Sequence, residues 1–122
     1  MLIKRLLTLK IRKQKRRNAK EGAFVVYGHS ISKRQINDIS MGGLSFYYED
    51  RGRTIDRGFR ELSLGDHKRV CLRDIAFKTV SDVEAGEILF RNKRIKRQSV
   101  RFERLTRRQK RQLKAFISTH SE

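Results

Sequence analysis

The chain of 122 residues contains no proline and no tryptophan, and it has a single cysteine. Without proline, its turns must be made by glycine, asparagine and aspartate. One cysteine, Cys71, excludes an internal disulfide framework and fits a reducing compartment. Its flanks, RVCLRD, read as a strand, so a small, buried or half-buried side chain is expected there rather than a nucleophile. The three histidines, His29, His67 and His120, are scattered without metal-ligand spacing. No run approaches the roughly 18 apolar residues of a membrane span, so no transmembrane segment is expected. The start, MLIKRLLTLKIRKQ, lacks a continuous apolar core and a small-residue cleavage site, which makes it a poor signal peptide; a cytoplasmic location is expected. No nucleophile stands with a base, and no acid pair or metal cluster is visible. The expectation is a binding protein, not an enzyme, with no catalytic residue, no metal and no cofactor.

Acidic residues are the other shortage: 13 against 31 lysines and arginines, for a net charge of +18. The imbalance sits at the ends. Residues 1–20 carry nine basic and no acidic side chains, residues 91–122 twelve and two, and the stretch between is close to neutral. Two basic ends that meet in space form a cationic face suited to a phosphate-bearing partner.

The near-neutral middle is written for strands. GAFVVYGHS is rich in valine and aromatics, KRQINDIS follows, and GLSFYY sets Leu44, Phe46 and Tyr48 on one face and Ser45 and Tyr47 on the other. EDRGRTIDRG is a polar loop, FRELSL a short strand, RVCLRDIAFKTVSD a long one, and EAGEILFRNK reads as a turn with a short apolar piece. KRQSVRFERL alternates again, with Val100 and Phe102 on one face. The end changes period. Thr106 and Gln109 have capping-box spacing, and Leu113, Phe116 and Ile117 form a helical stripe. The outline is mainly β: antiparallel strands followed by one helix.

Two short motifs are not explained by sheet formation. Arg12 and Arg16 stand as R-x-x-x-R in KIRKQKRRNAK, a stretch too polar to pack and so expected as a solvated loop. Paired guanidinium groups bind phosphate bidentately, stack on bases, or reach guanine O6 and N7. In NDISMGGLSF, Asp38, Ser40 and Gly43 stand as D-x-S-x-x-G where two strands meet, although strand interiors disfavour Asp and Gly. A carboxylate is a pure acceptor that suits the N1–H and N2–H₂ donors of guanine, and glycine permits close backbone approach. Each motif alone also reads blandly, as a basic run and as a hairpin turn.

Together and in this order, the motifs resemble the PilZ domain family. AKEGAFVV, INDISMGGLSFYY, IAFKTVSD and SVRFERLTRRQKRQLKAFI are similar to stretches of it. The resemblance implies a six-stranded antiparallel β-barrel with a C-terminal α-helix. Residues 1–11 would be an N-terminal arm or short helix and residues 12–122 the domain, with 12–20 the ligand-clamping loop, 22–104 the barrel and 106–119 the helix. It also implies a receptor or effector for cyclic di-GMP, a bacterial second messenger, that changes conformation or partner surface on binding and acts on a protein effector of unknown identity. Arg12 and Arg16, with Arg17 adding charge, would clamp phosphates and guanine Hoogsteen edges. Asp38 and Ser40 would hold a guanine's Watson–Crick side, and Gly43 would admit the ligand to the backbone. Ser99 stands where the family's G-x-x-F pattern opens with glycine, and the uncharged Ile11 before the first arginine favours one ligand molecule per site. The alternative from the composition alone is a small basic barrel that binds RNA or DNA through phosphate contacts.

Overall fold

The strand pattern of the middle region closes on itself. A computed structural model describes residues 16–28, 32–50, 60–67, 69–88 and 93–122. Its elements are β1 (Arg17–Asn18), β2 (Ala23–Tyr27), β3 (Arg34–Ile39), β4 (Gly43–Asp50), β5 (Glu61–Asp66), β6 (Arg69–Ile88), β7 (Lys93–Phe102) and α1 (Arg107–His120). All strand pairs are antiparallel, in the order β3-β2-β5-β6-β7-β4, and β4 pairs back onto β3. This is a closed six-stranded barrel with one C-terminal helix. The two-residue β1 lies outside the ring, on the edge of β3 beyond the end of β2.

Alternation fills the interior. Leu44, Phe46 and Tyr48 of β4 point in, with Ile36 and Ile39 of β3, Leu62 and Leu64 of β5, Leu72 and Ile75 of β6, and Val100 of β7. The aromatic rings of Tyr27, Phe46 and Phe77 pack together, Tyr27 stacked on Phe77 and edge-on to Phe46. Gln98 is fully buried among them, and both its polar atoms are bonded: its amide oxygen accepts from the Tyr27 hydroxyl and its nitrogen donates to Asp82, which also accepts from Tyr48. Buried polar groups without such partners cost far more than they contribute.

The helix adds Leu113 and Phe116 to this core. Thr106 starts it with a full capping box: the Gln109 amide donates to the Thr106 hydroxyl, and the Gln109 side chain accepts from the Thr106 amide, each at 3.0 Å. Gln109 also donates to the carbonyls of Arg73 and Asp74, which ties the first turn to a bend in β6 where Asp74 has φ 57°. The far end of the helix meets β1. Lys20 donates to the carbonyl of His120, Ala19 bridges Ser121, and Glu122 donates to Asn18. Among the described residues no helix is long and apolar enough to cross a membrane.

Two local expectations change. Part of the 12–20 stretch is not loop, because Arg17 and Asn18 pair with Ile39 and Asp38. The turn-like reading of residues 84–93 changes at its two ends, where β6 continues to Ile88 and pairs there with Lys93 at the start of β7; residues 89–92 lie outside the described residues. Charged residues at both faces and an irregularity between Glu84 and Gly86 hide the strand period there.

Candidate functional site

Asp38 is the centre of the best-organised polar cluster on the barrel's outer surface. Its side chain is only 14% exposed and is held between two guanidinium groups. Arg16 Nη1 donates to Oδ1 at 2.9 Å, and Arg97 Nη2 donates to Oδ2 at 3.1 Å. The Ser45 hydroxyl donates a third bond, to Oδ1 at 2.8 Å, and itself lies within reach of Asn37 Nδ2 and Arg97 Nη2. Ser45 faces outward on β4, opposite in sense to Leu44 and Phe46, yet it is fully buried. The surrounding polar side chains cover it.

Three strands make this geometry. Asp38 pairs with Ser45 across β3–β4, just past an irregularity between Ile36 and Asp38 that shifts the register there. Ser45 and Tyr47 pair with Ser99 and Arg97 across β4–β7. Arg16 arrives from the other side, one residue before β1, whose Asn18 is opposite Asp38. The outward row therefore places two cations on one carboxylate, leaving a local excess of one positive charge. Arg97 Nε is buried without a hydrogen-bond partner in the structure. Beside the cluster lies a shallow hollow of about 630 Å³, with Asn18, Gln35, Asn37, Tyr47 and Glu122 on its walls. Tyr47 is 48% exposed, a large aromatic face turned to solvent next to the strand that carries Arg97.

Ser40 and Gly43 do different work from Asp38. The Ser40 amide donates to the Gly43 carbonyl at 2.8 Å, and the Ser40 hydroxyl accepts from the Gly42 amide at 3.1 Å, so this serine closes the β3–β4 turn. The turn then docks on β7 through the Phe102 amide, which donates to the Gly42 carbonyl. At Gly43 the neighbour is the barrel itself: a Cβ would stand 2.0 Å from the Val100 carbonyl oxygen. Only glycine lets β4 start this close to β7.

The structure thus brings Arg16 onto Asp38, with Ser40 and Gly43 in the adjoining turn. Arg17 is exposed on β1, opposite Ile39, and Arg12 lies outside the described residues. Arg97 and Ser45 were not singled out by sequence reading. The available signal was that Arg97 and Ser99 occupy the face of β7 opposite to Val100 and Phe102. The β4–β7 register that carries Arg97 to Asp38 is not written in that alternation.

The family model of the PilZ domain matches residues 10–119. Two solved structures share the fold. The PilZ domain with c-di-GMP of YcgR from Escherichia coli matches with a TM-score of 0.65 at 19% identity, over 88% of this chain and 89% of that one. YcgR in complex with c-di-GMP, also from Escherichia coli, matches with a TM-score of 0.57 at 17% identity, over 88% of this chain and 45% of that one. No curated protein matches the chain at significant similarity.

Proposed function

The chain belongs to the PilZ domain family, and from that premise we propose that it is a receptor for cyclic di-GMP whose occupied form presents a changed surface to a protein effector. The observation that carries this reading is the 2.9 Å bond between Arg16 and Asp38. It joins the last residue of one ligand motif to the first residue of the other, 22 positions apart. The similarity in fold to structures described as holding c-di-GMP supports the same ligand.

Cyclic di-GMP presents two phosphates and two guanines, and the cluster has a group for each. The carboxylate of Asp38 is an acceptor for the N1–H and N2–H₂ edge of guanine. Arg16, with Arg12 and Arg17, supplies planar donors for phosphate oxygens and for guanine O6 and N7. Ser40 and Gly43 hold the turn that fixes the carboxylate and its backbone. Arg97 is added to this set. It orients Asp38 from the opposite side and offers a second guanidinium plane for stacking. In the structure the carboxylate is bonded by the chain's own arginines, Arg16 and Arg97. Ligand entry exchanges those bonds for charge-assisted bonds of roughly 1.5–3 kcal/mol each, against a backbone ordering cost of roughly 1–2 kcal/mol per residue fixed.

The output follows from connectivity. Arg16 leads directly into β1, and β1 is bonded to the end of α1 through Lys20, Ala19 and Glu122. A clamp that tightens on the ligand pulls on the same short strand that holds the helix end. The deciding experiment is calorimetric titration with cyclic di-GMP beside GTP. Saturable heat with cyclic di-GMP, weak or absent with GTP, and lost in Arg16→Ala is the expected outcome. No heat from the wild-type protein would overturn the reading.

A further inference from the structure

The helix carries a feature that the nucleotide site does not use. Arg107, Lys110, Arg111 and Lys114 fall at i, i+3, i+4 and i+7, which puts four cations in one stripe. All four are exposed, as is Arg108 beside them, while Leu113 and Phe116 turn inward to the core. No acidic residue occurs anywhere in the helix. Arg107 and Arg108 even stand in the first turn, where the helix dipole disfavours positive charge.

On the barrel, Arg16 and Arg97 pair with Asp38, Arg94 with Glu84, Lys96 with Asp82, and Arg101 with Glu103. Among the described residues, none of the five helix cations is paired with a carboxylate. A row of charge that no described carboxylate neutralises, begun where it weakens its own helix, is explained by something outside the molecule.

We infer that the outward face of α1 is a docking surface for the phosphodiester backbone of nucleic acid, separate from the nucleotide site around Asp38. The stripe spans about 10 Å at the helical rise of about 1.5 Å per residue. Duplex DNA offers about one negative charge per 1.7 Å of axis, so every cation of the stripe has a phosphate within reach. Three of the five side chains are arginines, whose planar fork matches phosphate oxygens. A lipid surface fits less well. The other exposed helix positions are Ala115, Ser118 and Thr119, and helices that lie in a membrane interface carry large apolar side chains to insert. The contact is sequence-independent, since no side chain of the stripe is placed to read base edges while it follows a backbone.

The test uses the full chain and fluorescence anisotropy, with a labelled duplex DNA and a labelled single-stranded RNA, each about 20 nucleotides long, over about 50–200 mM salt. The variant carries Arg107→Gln, Lys110→Gln, Arg111→Gln and Lys114→Gln together, and Lys114→Gln alone serves as a milder second variant. The wild type is expected to bind at least one of the two nucleic acids. The fourfold variant is expected to lose at least tenfold in affinity, with a log–log salt slope shallower by about 3–4 on duplex DNA; the single variant moves the slope by about 1. Cyclic di-GMP titrations of all three proteins should coincide, which separates loss of this surface from loss of the nucleotide site. Unchanged affinity and slope in both variants would overturn the inference. So would wild-type binding to phosphatidylserine vesicles with binding to neither nucleic acid.

Discussion

Arg97 and Asp38 lie 59 positions apart in sequence and 3.1 Å apart in space, on strands that do not pair with each other. β4 stands between them and contributes Ser45 to both. The candidate site is therefore a property of the closed barrel, assembled across three strands and completed by Arg16 from the edge.

Asp38→Ala should weaken cyclic di-GMP binding by about thirtyfold or more, the equivalent of about 2 kcal/mol for a lost charge-assisted contact. Asp38→Asn keeps one acceptor oxygen and should fall between the two. Calorimetric titration of the three proteins checks this. Equal affinities would mean that the carboxylate only anchors the arginines.

Arg97→Ala should cost about tenfold in cyclic di-GMP affinity, since one charge-assisted bond that orients Asp38 is gone. Arg97→Lys should recover only part of it, because an ammonium can remake the bonds that Arg97 Nη2 gives Asp38 and Ser45 but offers no planar face for stacking on a base. Affinity restored to the wild-type level by lysine would show that charge alone matters at this position.

Gly43→Ala should lower stability by about 2 kcal/mol or more, because the added methyl meets the Val100 carbonyl oxygen at 2.0 Å and β4 and β7 must part. Urea unfolding followed by circular dichroism measures the shift in midpoint. A midpoint equal to that of the wild type would show that the strands separate at no cost.

Thr106→Ala removes half of the capping box and should destabilise by about 1 kcal/mol. Arg107→Glu has the opposite sign. It places negative charge in the first helical turn and should stabilise by about 0.3–1 kcal/mol at low salt. Parallel unfolding curves at low and high salt should show the second effect fading and the first persisting.

Ligand binding should slow amide exchange at Lys20 and Glu122, whose N–H groups bond the carbonyls of His120 and Asn18 at 2.7 and 2.8 Å. Hydrogen exchange with and without cyclic di-GMP reads this directly. Protection that changes nowhere near these amides would disconnect the clamp from the helix.

Much of this architecture is legible in the sequence, for identifiable reasons. Leu44, Phe46 and Tyr48 announce their inward face by alternation, and Thr106 with Gln109 announces the helix start by spacing. Both signals are local. What stays hidden depends on cross-strand register. Arg97 is one basic residue in a run of them until the pairing of Tyr47 with Arg97 and of Asp38 with Ser45 is known. The irregularity at Ile36/Asp38 shifts the β3–β4 pairing by a residue, and such a shift decides which side chains share a face. The outer part of the β6–β7 pairing is obscured for another reason, since it carries charge in place of an apolar alternation.

The contact between Gly43 and Val100 also bears on how signatures of this kind are interpreted in other chains. Within D-x-S-x-x-G, the glycine here answers to strand spacing and the serine hydroxyl to turn closure, while the carboxylate answers to the arginines around it. On the proposed function, a chain that bound no messenger would be free to replace Arg12, Arg16 and Asp38, yet would still need glycine at 43 to seat β4 against β7. Glycine at that position is a marker of the barrel. On the proposed function the arginines and the aspartate are the marker of the ligand, and a chain that keeps the first without the second should fold and stay silent.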